Sequence, residues 1–565
     1  MASDKKSGDL RNLPGCAIEF IRLVIKKMRY RRKVRLDVQT ELTAHFDDEL
    51  KECTTDVERE QKARQLIAGF GDVKLLAVLL RRAKKRCRPI WRTVVARTFQ
   101  TIGVLILLFC FYTVWFLAGK PTINVDYLAL FNQMNRPQLK DEDNAWPHYE
   151  KAITLFVKPD DKLRKVIDAA SGCPGFGGLA DEEQQKIKRW VELNESAWQE
   201  FVVASSKSYC FREYQYGPNT KDEDKWLYNI ILPHLAELKE LAKLGRWQAR
   251  MHIDANQPRQ ALEDCLSIAR AGSHWQQGKG TLVEQLVGLA LSGLGYTEIL
   301  NIAGTKDLSS VDLKHLQQEL LQAYPQSFPL MNMEGERLLF MDAVQRLFTE
   351  GGPGGGHLVP HKLTYLGDIT GSADEVRINM VRLPFYTAAA MVHAGRDETI
   401  AKGNEIYDRL GKLAKMSPYE KHISDPNGIE GMISTLPKYR YFLIHLLMPA
   451  IDRVSEIAYR GKASHQATIT VLALRRWRLE KNEYPANLDE LIAAGYLKEL
   501  PADPFSDKTL VYKKTGDDFT LYSVGFNFKD DGGESGKDSY GRPTKWRDNG
   551  DTVFWPVPKP EVSQP

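Results

Sequence analysis

TIGVLILLFCFYTVWFLAG, Thr101 to Gly119, contains no charged residue, and its reading decides how the rest of the 565-residue chain is divided. Nineteen helical residues at about 1.5 Å each span roughly 28 Å, close to the hydrocarbon thickness of a bilayer. Arg81, Arg82, Lys84, Lys85, Arg86, Arg88, Arg92 and Arg97 precede it, whereas Lys120 and then Asp126 follow. The positive-inside rule therefore predicts a cytoplasmic N-terminus and an extracytoplasmic location for everything after about residue 120. Tyr112, Trp115 and Phe116 gather at the exit side, as an interfacial aromatic belt would. A buried core helix could share the apolar composition, but it needs neither the basic run nor the belt. The segment lies too deep in the chain for a cleaved signal peptide.

The bulk numbers fit this division. A chain of this length exceeds what one core usually serves. The apolar content of 43% and charged content of 27% are ordinary for globular proteins. The net charge is only +5, but basic residues crowd the first hundred positions and an acidic cluster lies near the end. With no nucleic-acid recognition motif beside it, the basic run reads as a topogenic anchor that touches lipid headgroups, and no nucleic-acid partner is expected. The seven cysteines follow no metal-ligand spacing. Cys173, Cys210 and Cys265 would meet an oxidising compartment; Cys173 and Cys210 can pair, and Cys265 sits in a helical pattern as a buried thiol.

Upstream of the span, RLDVQTELTAHFDDEL places Leu36, Leu42, Phe46 and Leu50 at near-helical spacing. A second helix from about Val57 carries Ala63, Leu66, Ile67 and Phe70 and stops at Gly71-Asp72. A third starts with Val73, Leu75, Leu76, Leu79 and Leu80. The order of Glu41, Leu42 and His45, then Phe70-Gly71-Asp72 and Leu75 before a membrane span, resembles the HAAS-type signalling domain of bacteria. That resemblance implies a small cytoplasmic interaction module acting on a membrane protein or a regulator. His45 by itself reads as a solvated helix residue.

Downstream, helices separated by short polar breaks run from about Asp126 to Gly461. Trp146 to Phe156 (WPHYEKAITLF) begins the series, and Leu232 to Trp275 reads as two helices flanking Asn256-Gln257-Pro258. The second of these carries Ala261, Leu262, Cys265, Ile268 and Ala269 on one stripe. No fixed repeat period follows, so an irregular helical bundle is expected in preference to a repeat array. Gly351 to Gly356 reads as a flexible loop; it lacks the Lys-Ser/Thr ending of a phosphate cradle and follows a helix, not a strand. His357 and His361 straddle Pro360, which argues against a shared helical metal face. No G-x-S-x-G, H-E-x-x-H or C-x-x-C motif occurs.

The C-terminal part changes character. ATITVLALRRWRLEKNEYP is a helix expected to end where Pro485 disfavours helical geometry at Tyr484. Asn487 and Glu490 form a capping-box variant, Leu488, Leu491 and Ile492 supply an apolar side, and Gly495 suits a left-handed cap. TLVYKK and DFTLYSVG then form two strands joined at Thr515-Gly516-Asp517. This order, through Tyr484, Pro485, Leu488, Leu491, Gly495, Tyr496, Leu497, Pro501, Asp503, Pro504, Tyr522, Ser523 and Gly525, resembles the C-terminal domain of the major pseudopilin of type II secretion. In that family acidic residues of the final loop hold a calcium ion. The resemblance therefore implies Ca²⁺ as cofactor, held among Asn527, Asp530, Asp531, Asp538, Asp548 and Asp551. Six to eight oxygens are needed, and clustered carboxylates on a glycine-rich loop can supply them. Unneutralised carboxylates about 4 Å apart would repel by roughly 1 kcal/mol in water and 4 at an effective dielectric near 20. The spacing does not fit a helix–loop–helix calcium hand. A solvated acidic loop is the alternative. Pseudopilins carry their membrane helix directly before this domain, whereas here the span lies far upstream, which favours a structural or interaction cap over a pilus subunit.

The expected fold class is mainly α with a small C-terminal α+β domain, a single transmembrane helix and a large irregular helical ectodomain. The expected domains are a cytoplasmic head (1–95), the span (96–119), a helical ectodomain (120–460) and a pseudopilin-like domain (461–565). The expected location is the bacterial inner membrane, with residues after about 120 in the periplasm. The expected function is a non-enzymatic scaffold or interaction protein, with membrane lipid, a cytoplasmic regulator at the head and a protein at the ectodomain as partners. A transmembrane signalling protein and an ectodomain hydrolase with dispersed catalytic residues are the alternatives.

Overall fold

The computed structural model describes residues 10–86, 90–170, 176, 179–325, 327–364, 383–448 and 451–557. The chain forms two compact units, Met1–Trp115 and Phe116–Pro565.

The first unit contains α1 (Gly15–Met28), α2 (Arg32–Leu50), α3 (Asp56–Phe70), α4 (Val73–Arg86) and most of α5 (Ile90–Leu117). Thr55 and Glu58 start α3 with a reciprocal capping box, and Gly71 ends it at φ 68°. Asp72 does not continue that cap. Its carboxylate accepts the Leu75 N–H at 3.2 Å and starts α4. Phe20, Ile21 and Val24 of α1 meet Val38, Leu42 and Phe46 of α2, with Ala63 and Ala77 filling the small positions. Of the motif residues, Glu41 pairs with Lys84, and exposed His45 packs edge-on against Phe70 at 5.6 Å. Leu36 and Leu75, expected on the apolar faces, are exposed. Each lies two residues, about 200° of helix, from a fully buried neighbour, Val38 or Ala77.

The second unit is built from α6 (Tyr127–Asn135), α7 (Trp146–Leu155), α8 (Asp161–Ala169), α9 (Asp181–Leu193), α10 (Glu195–Ser205), α11 (His234–Asp254), α12 (Pro258–Gln276), α13 (Leu282–Thr305), α14 (Ser310–Gln322) and α15 (Glu334–Leu347). It continues with α16 (Leu383–Val392), α17 (Arg396–Leu413), α18 (Pro418–Ser424), α19 (Gly428–Thr435), α20 (Phe442–Leu447), α21 (Ile451–Lys481) and α22 (Asp489–Ala493), and ends in an antiparallel sheet. Gly351 to Gly356 is a hydrogen-bonded turn, with Gly351 N–H bonded to the Gly355 carbonyl at 2.9 Å. Cys265 is a buried thiol, as its stripe implies, and Cys210 is a free thiol. Cys173 lies outside the described residues, so the pairing raised above is not described.

Among the described residues, two helices are long and apolar enough to cross a membrane, Val94–Leu117 within α5 and Leu282–Thr305, which is α13. Only 6% of the apolar window of the first is buried, against 67% of the second. Small residues explain the burial of α13. A Cβ added at Gly288 would lie 2.6 Å from the Gly272 carbonyl oxygen, and one at Gly295 2.7 Å from that of Cys265, so α12 and α13 meet backbone to backbone. Leu291, Ile299 and Leu300 are then sealed in the core.

The expected boundary at residue 460 falls inside continuous α21. One apolar cluster unites Leu266, Leu300 and Leu316 with Leu472, Leu521 and Trp555, so the C-terminal module shares its core with α12–α14. Helix α21 ends earlier than Pro485 requires, because Asn482 takes φ 62°. Asn487 accepts the Glu490 N–H at 3.3 Å and Glu490 accepts that of Ala486 at 3.1 Å, the expected box shifted by one position. Gly495 is left-handed at φ 76°. Strands β1 (Val511–Thr515) and β2 (Asp518–Ser523) turn over Gly516-Asp517. Unexpected is β3 (Thr552–Trp555), antiparallel to β2. All four of its residues are buried, so it carries no alternating pattern to betray a strand.

Candidate functional site

Asp551 is 1% exposed, and its two carboxylate oxygens accept the Asp531 and Gly533 N–H groups at 3.2 and 2.7 Å. Burial raises its pKa, and the neighbouring charges of Asp531 and Asp530 add to the rise. Asp530 accepts the Tyr522 hydroxyl at 2.7 Å and the Gly532 N–H at 2.9 Å, and these bonds hold its carboxyl below the usual range. Asn527 donates to Asp531 at 2.6 Å and accepts the Lys529 N–H at 3.0 Å. The structure thus brings Asn527, Asp530, Asp531 and Asp551 together. Asp538 instead closes its own turn, accepting backbone N–H groups of Tyr540 and Arg542 and pairing with the Arg542 guanidinium at 2.9 Å. Asp548 is exposed.

Among the described residues no group of three or more His, Cys, Asp or Glu side chains is placed to hold a metal ion. Within the loop, the carboxylates of Asp530 and Asp551 accept the backbone N–H groups of Asp531, Gly532 and Gly533. A motif residue outside the predicted set does comparable work. Asp503, buried, accepts the Phe505 and Val524 N–H groups at 3.1 and 3.0 Å and the Ser523 hydroxyl at 2.7 Å. It fastens the Pro501–Pro504 segment to the end of β2.

A second site was not anticipated. A cavity of about 490 Å³ is lined by Trp146, Ile153, Arg212, Pro233, His234 and Glu237. The Arg212 guanidinium lies over the Trp146 ring at 5.3 Å and donates to the Ile231 carbonyl at 3.1 Å. Its Nη1 is also 3.3 Å from Nδ1 of His234, which is 3% exposed. An arginine can only donate, so His234 Nδ1 accepts and the ring proton resides on Nε2. Burial, with Arg212 adding to it, pushes the His234 pKa down to about 3 and keeps the ring neutral.

Behind it lies Glu284, also buried, with Oε1 4.0 Å from His234 Nε2. Its carboxylate accepts the Thr281 N–H at 2.9 Å, the Thr281 hydroxyl at 3.0 Å and the Tyr214 hydroxyl at 3.1 Å. Burial raises its pKa despite these bonds. The nearby Cys210 thiol is pushed well up by burial and by Glu284, the reverse of what a nucleophilic thiolate needs. The arrangement is a buried hydrogen-bonding wall behind an aromatic–guanidinium lip. The Thr281-x-x-Glu284 capping-box pattern was the one local signal pointing here; its tertiary partners lie tens of residues away.

A smaller cavity of about 370 Å³ is lined by Trp198, Gln248, His252 and Asp264, with His252 Nδ1 2.6 Å from Asp264 and the Trp198 indole N–H donated to Asp264 at 2.9 Å. The histidines weighed for metal do other work. His357 Nε2 donates to the Phe116 carbonyl at 3.0 Å and its ring stacks on Phe116 at 4.1 Å. Phe116 is therefore buried, not part of an interfacial belt as expected, whereas Tyr112 and Trp115 are exposed.

Comparison with protein-family models, with curated proteins and with solved structures finds no match.

Proposed function

We propose that the chain is a single-span, membrane-anchored interaction protein, with residues 10–86 in the cytoplasm and the ectodomain after about residue 120 on the other side. One observation carries this reading. Among the two apolar helices, α5 leaves its Leu, Ile, Phe and Val side chains exposed along its length, from Val104 to Val114, while α13 is consumed by the core. An exposed apolar cylinder of that length is stable in hydrocarbon and costly in water. The basic residues before α5 set the orientation. The ectodomain is one continuous unit in which the pseudopilin-like end packs as a cap, so its role is to present surface and not to polymerise. The Trp146–Arg212–His234 cavity is the place at which it would hold a partner group.

Protease added to intact spheroplasts tests the topology. Digestion of the ectodomain with an intact fragment containing residues 10–86 is expected. Cleavage of the head from outside would reverse the orientation, and release of the intact chain by carbonate wash would remove the anchor.

A second reading, transmembrane signalling, is favoured by the hold of His357 on the last turn of α5, which gives ectodomain residues a grip on the helix end. Capture of a defined cytoplasmic regulator by the full chain, lost on Glu41→Arg, would support it.

A further inference from the structure

Helix α16, LPFYTAAAMV, has no charged side chain anywhere along its length. Thr387 and Ala390 are buried, and Tyr386 and Met391 pack at the edge of the ectodomain core. The opposite face is also apolar. Phe385, Ala388 and Val392, at i, i+3 and i+7, share one stripe and are exposed, Phe385 by 72% and Val392 by 55%. A helix in water normally turns a polar face outward, and a contiguous apolar stripe marks a contact surface.

Its neighbours say what it contacts. The turn Pro360–Thr364 packs on α16 and begins three residues after His357, which grips Phe116. His361 in that turn is shifted downward by burial and then by the charges of Lys362 and Lys120, so Lys120, the first charged residue after the span, lies close by. Arg396 N–H reaches the Gly356 carbonyl at 3.1 Å and Ala394 N–H the Arg440 carbonyl at 2.9 Å. These bonds bring Tyr439, 82% exposed, and exposed Lys438 to the same end of the ectodomain. Aromatic and aliphatic side chains among lysines are the composition of the bilayer interface, where rings enter the headgroup layer and ammonium groups meet anionic lipid.

We infer that Phe385, Ala388 and Val392 of α16, with Tyr439, rest in the headgroup region of an anionic phospholipid bilayer beside the exit of α5, and that Lys120, Lys362 and Lys438 face its phosphates. The inference rests on α5 crossing that bilayer. It makes the ectodomain lie against the membrane at this end and leaves the Trp146–Arg212–His234 cavity to serve other partners.

The test uses the full chain in nanodiscs of phosphatidylethanolamine and phosphatidylglycerol, doped with a phospholipid carrying a diazirine near the top of one acyl chain. After photolysis, peptide mapping is expected to find lipid adducts on α5 and also on residues 383–392 and 438–440. Phe385→Asp is expected to lower the adduct yield on 383–392 about tenfold, since a carboxylate reverses the preference for the interface, while adducts on α5 stay unchanged. Adducts confined to α5 would overturn the inference and leave the anchor intact; adducts on neither would overturn both. Chemical cross-links between two copies through residues 383–392, in place of lipid adducts, would assign the stripe to a homodimer and overturn it as well.

Discussion

Val94–Leu117 and Leu282–Thr305 are both 24 residues long, and both are apolar enough for a membrane, yet they meet opposite fates. The first is made of large side chains with a single glycine, Gly103, and a Cβ there would touch nothing within 4 Å. The second interleaves Gly288, Ser292 and Gly295 with Leu and Ile, and those small residues let α12 approach until their backbones touch. Apolar composition qualifies a helix for either environment. Whether it is buried by protein depends on a complementary surface close enough to cover it.

The sharpest way to break this comparison is to exchange size at the glycines. Gly295→Leu would push a side chain into the Cys265 carbonyl and Ala269, and is expected to cost about 3 kcal/mol or to prevent folding of the Phe116–Pro565 unit. Gly103→Leu should leave both stability and membrane association unchanged. Thermal unfolding of the detergent-purified chain reads the first, and carbonate extraction of membranes reads the second. Equal effects at the two positions would mean that α13 is not a core helix.

Acid is the next largest probe. His465 of α21 sits against α13, with Nδ1 3.1 Å from the Tyr296 hydroxyl, and burial pushes its pKa down to about 3. A folded-state pKa below the unfolded value near 6.5 means that the stabilisation is present above pH 6.5 and is lost as the pH falls toward the folded value. At pH 5 this amounts to about 2 kcal/mol. Buried His234, His274 and His393 act in the same direction. The melting temperature of the Phe116–Pro565 unit is therefore expected to drop between pH 7 and pH 5, and His465→Gln to flatten the slope. No Asp, Glu or His lies between Arg97 and Lys120, so extraction of the chain from membranes is expected to be the same at pH 7 and pH 5.

Hydroxyl deletions should separate the helices more finely. Ser292 donates to the Ala269 carbonyl at 3.1 Å and accepts Gln276 at 2.8 Å, so Ser292→Ala is expected to cost about 1 kcal/mol. Thr113 bonds only its own helix, to the Phe109 carbonyl at 2.9 Å, and Thr113→Ala should fall below about 0.5 kcal/mol. Smallest of all is the expected response to calcium. Unfolding curves in EDTA and in added Ca²⁺ should coincide, because Asp530 and Asp551 are already occupied by N–H and hydroxyl donors. A midpoint raised by Ca²⁺ would show that the loop rearranges into a cage.

Much of the local structure was legible from neighbouring residues alone. The breaks at Gly71, at Asn256–Pro258 and at Gly495, and the turn at Gly516, depend on backbone preferences that operate over three or four residues. The apolar period likewise marked α2, α7, α11 and α12, and an uncharged run of nineteen residues marked the exposed apolar part of α5. The tertiary structure decided the rest, because the deciding contacts join distant parts of the chain. Burial of α13 needs α12 and α21; β3 is recognisable only once β2 lies beside it. Asp551 becomes a loop staple only when Asp531 and Gly533 turn their N–H groups toward it. His234, Arg212 and Glu284 come from three separate segments, so no spacing rule could have assembled them. Sequence determines which residues are apolar, charged or able to turn. Which of those properties is used depends on who stands opposite, and that is settled by packing.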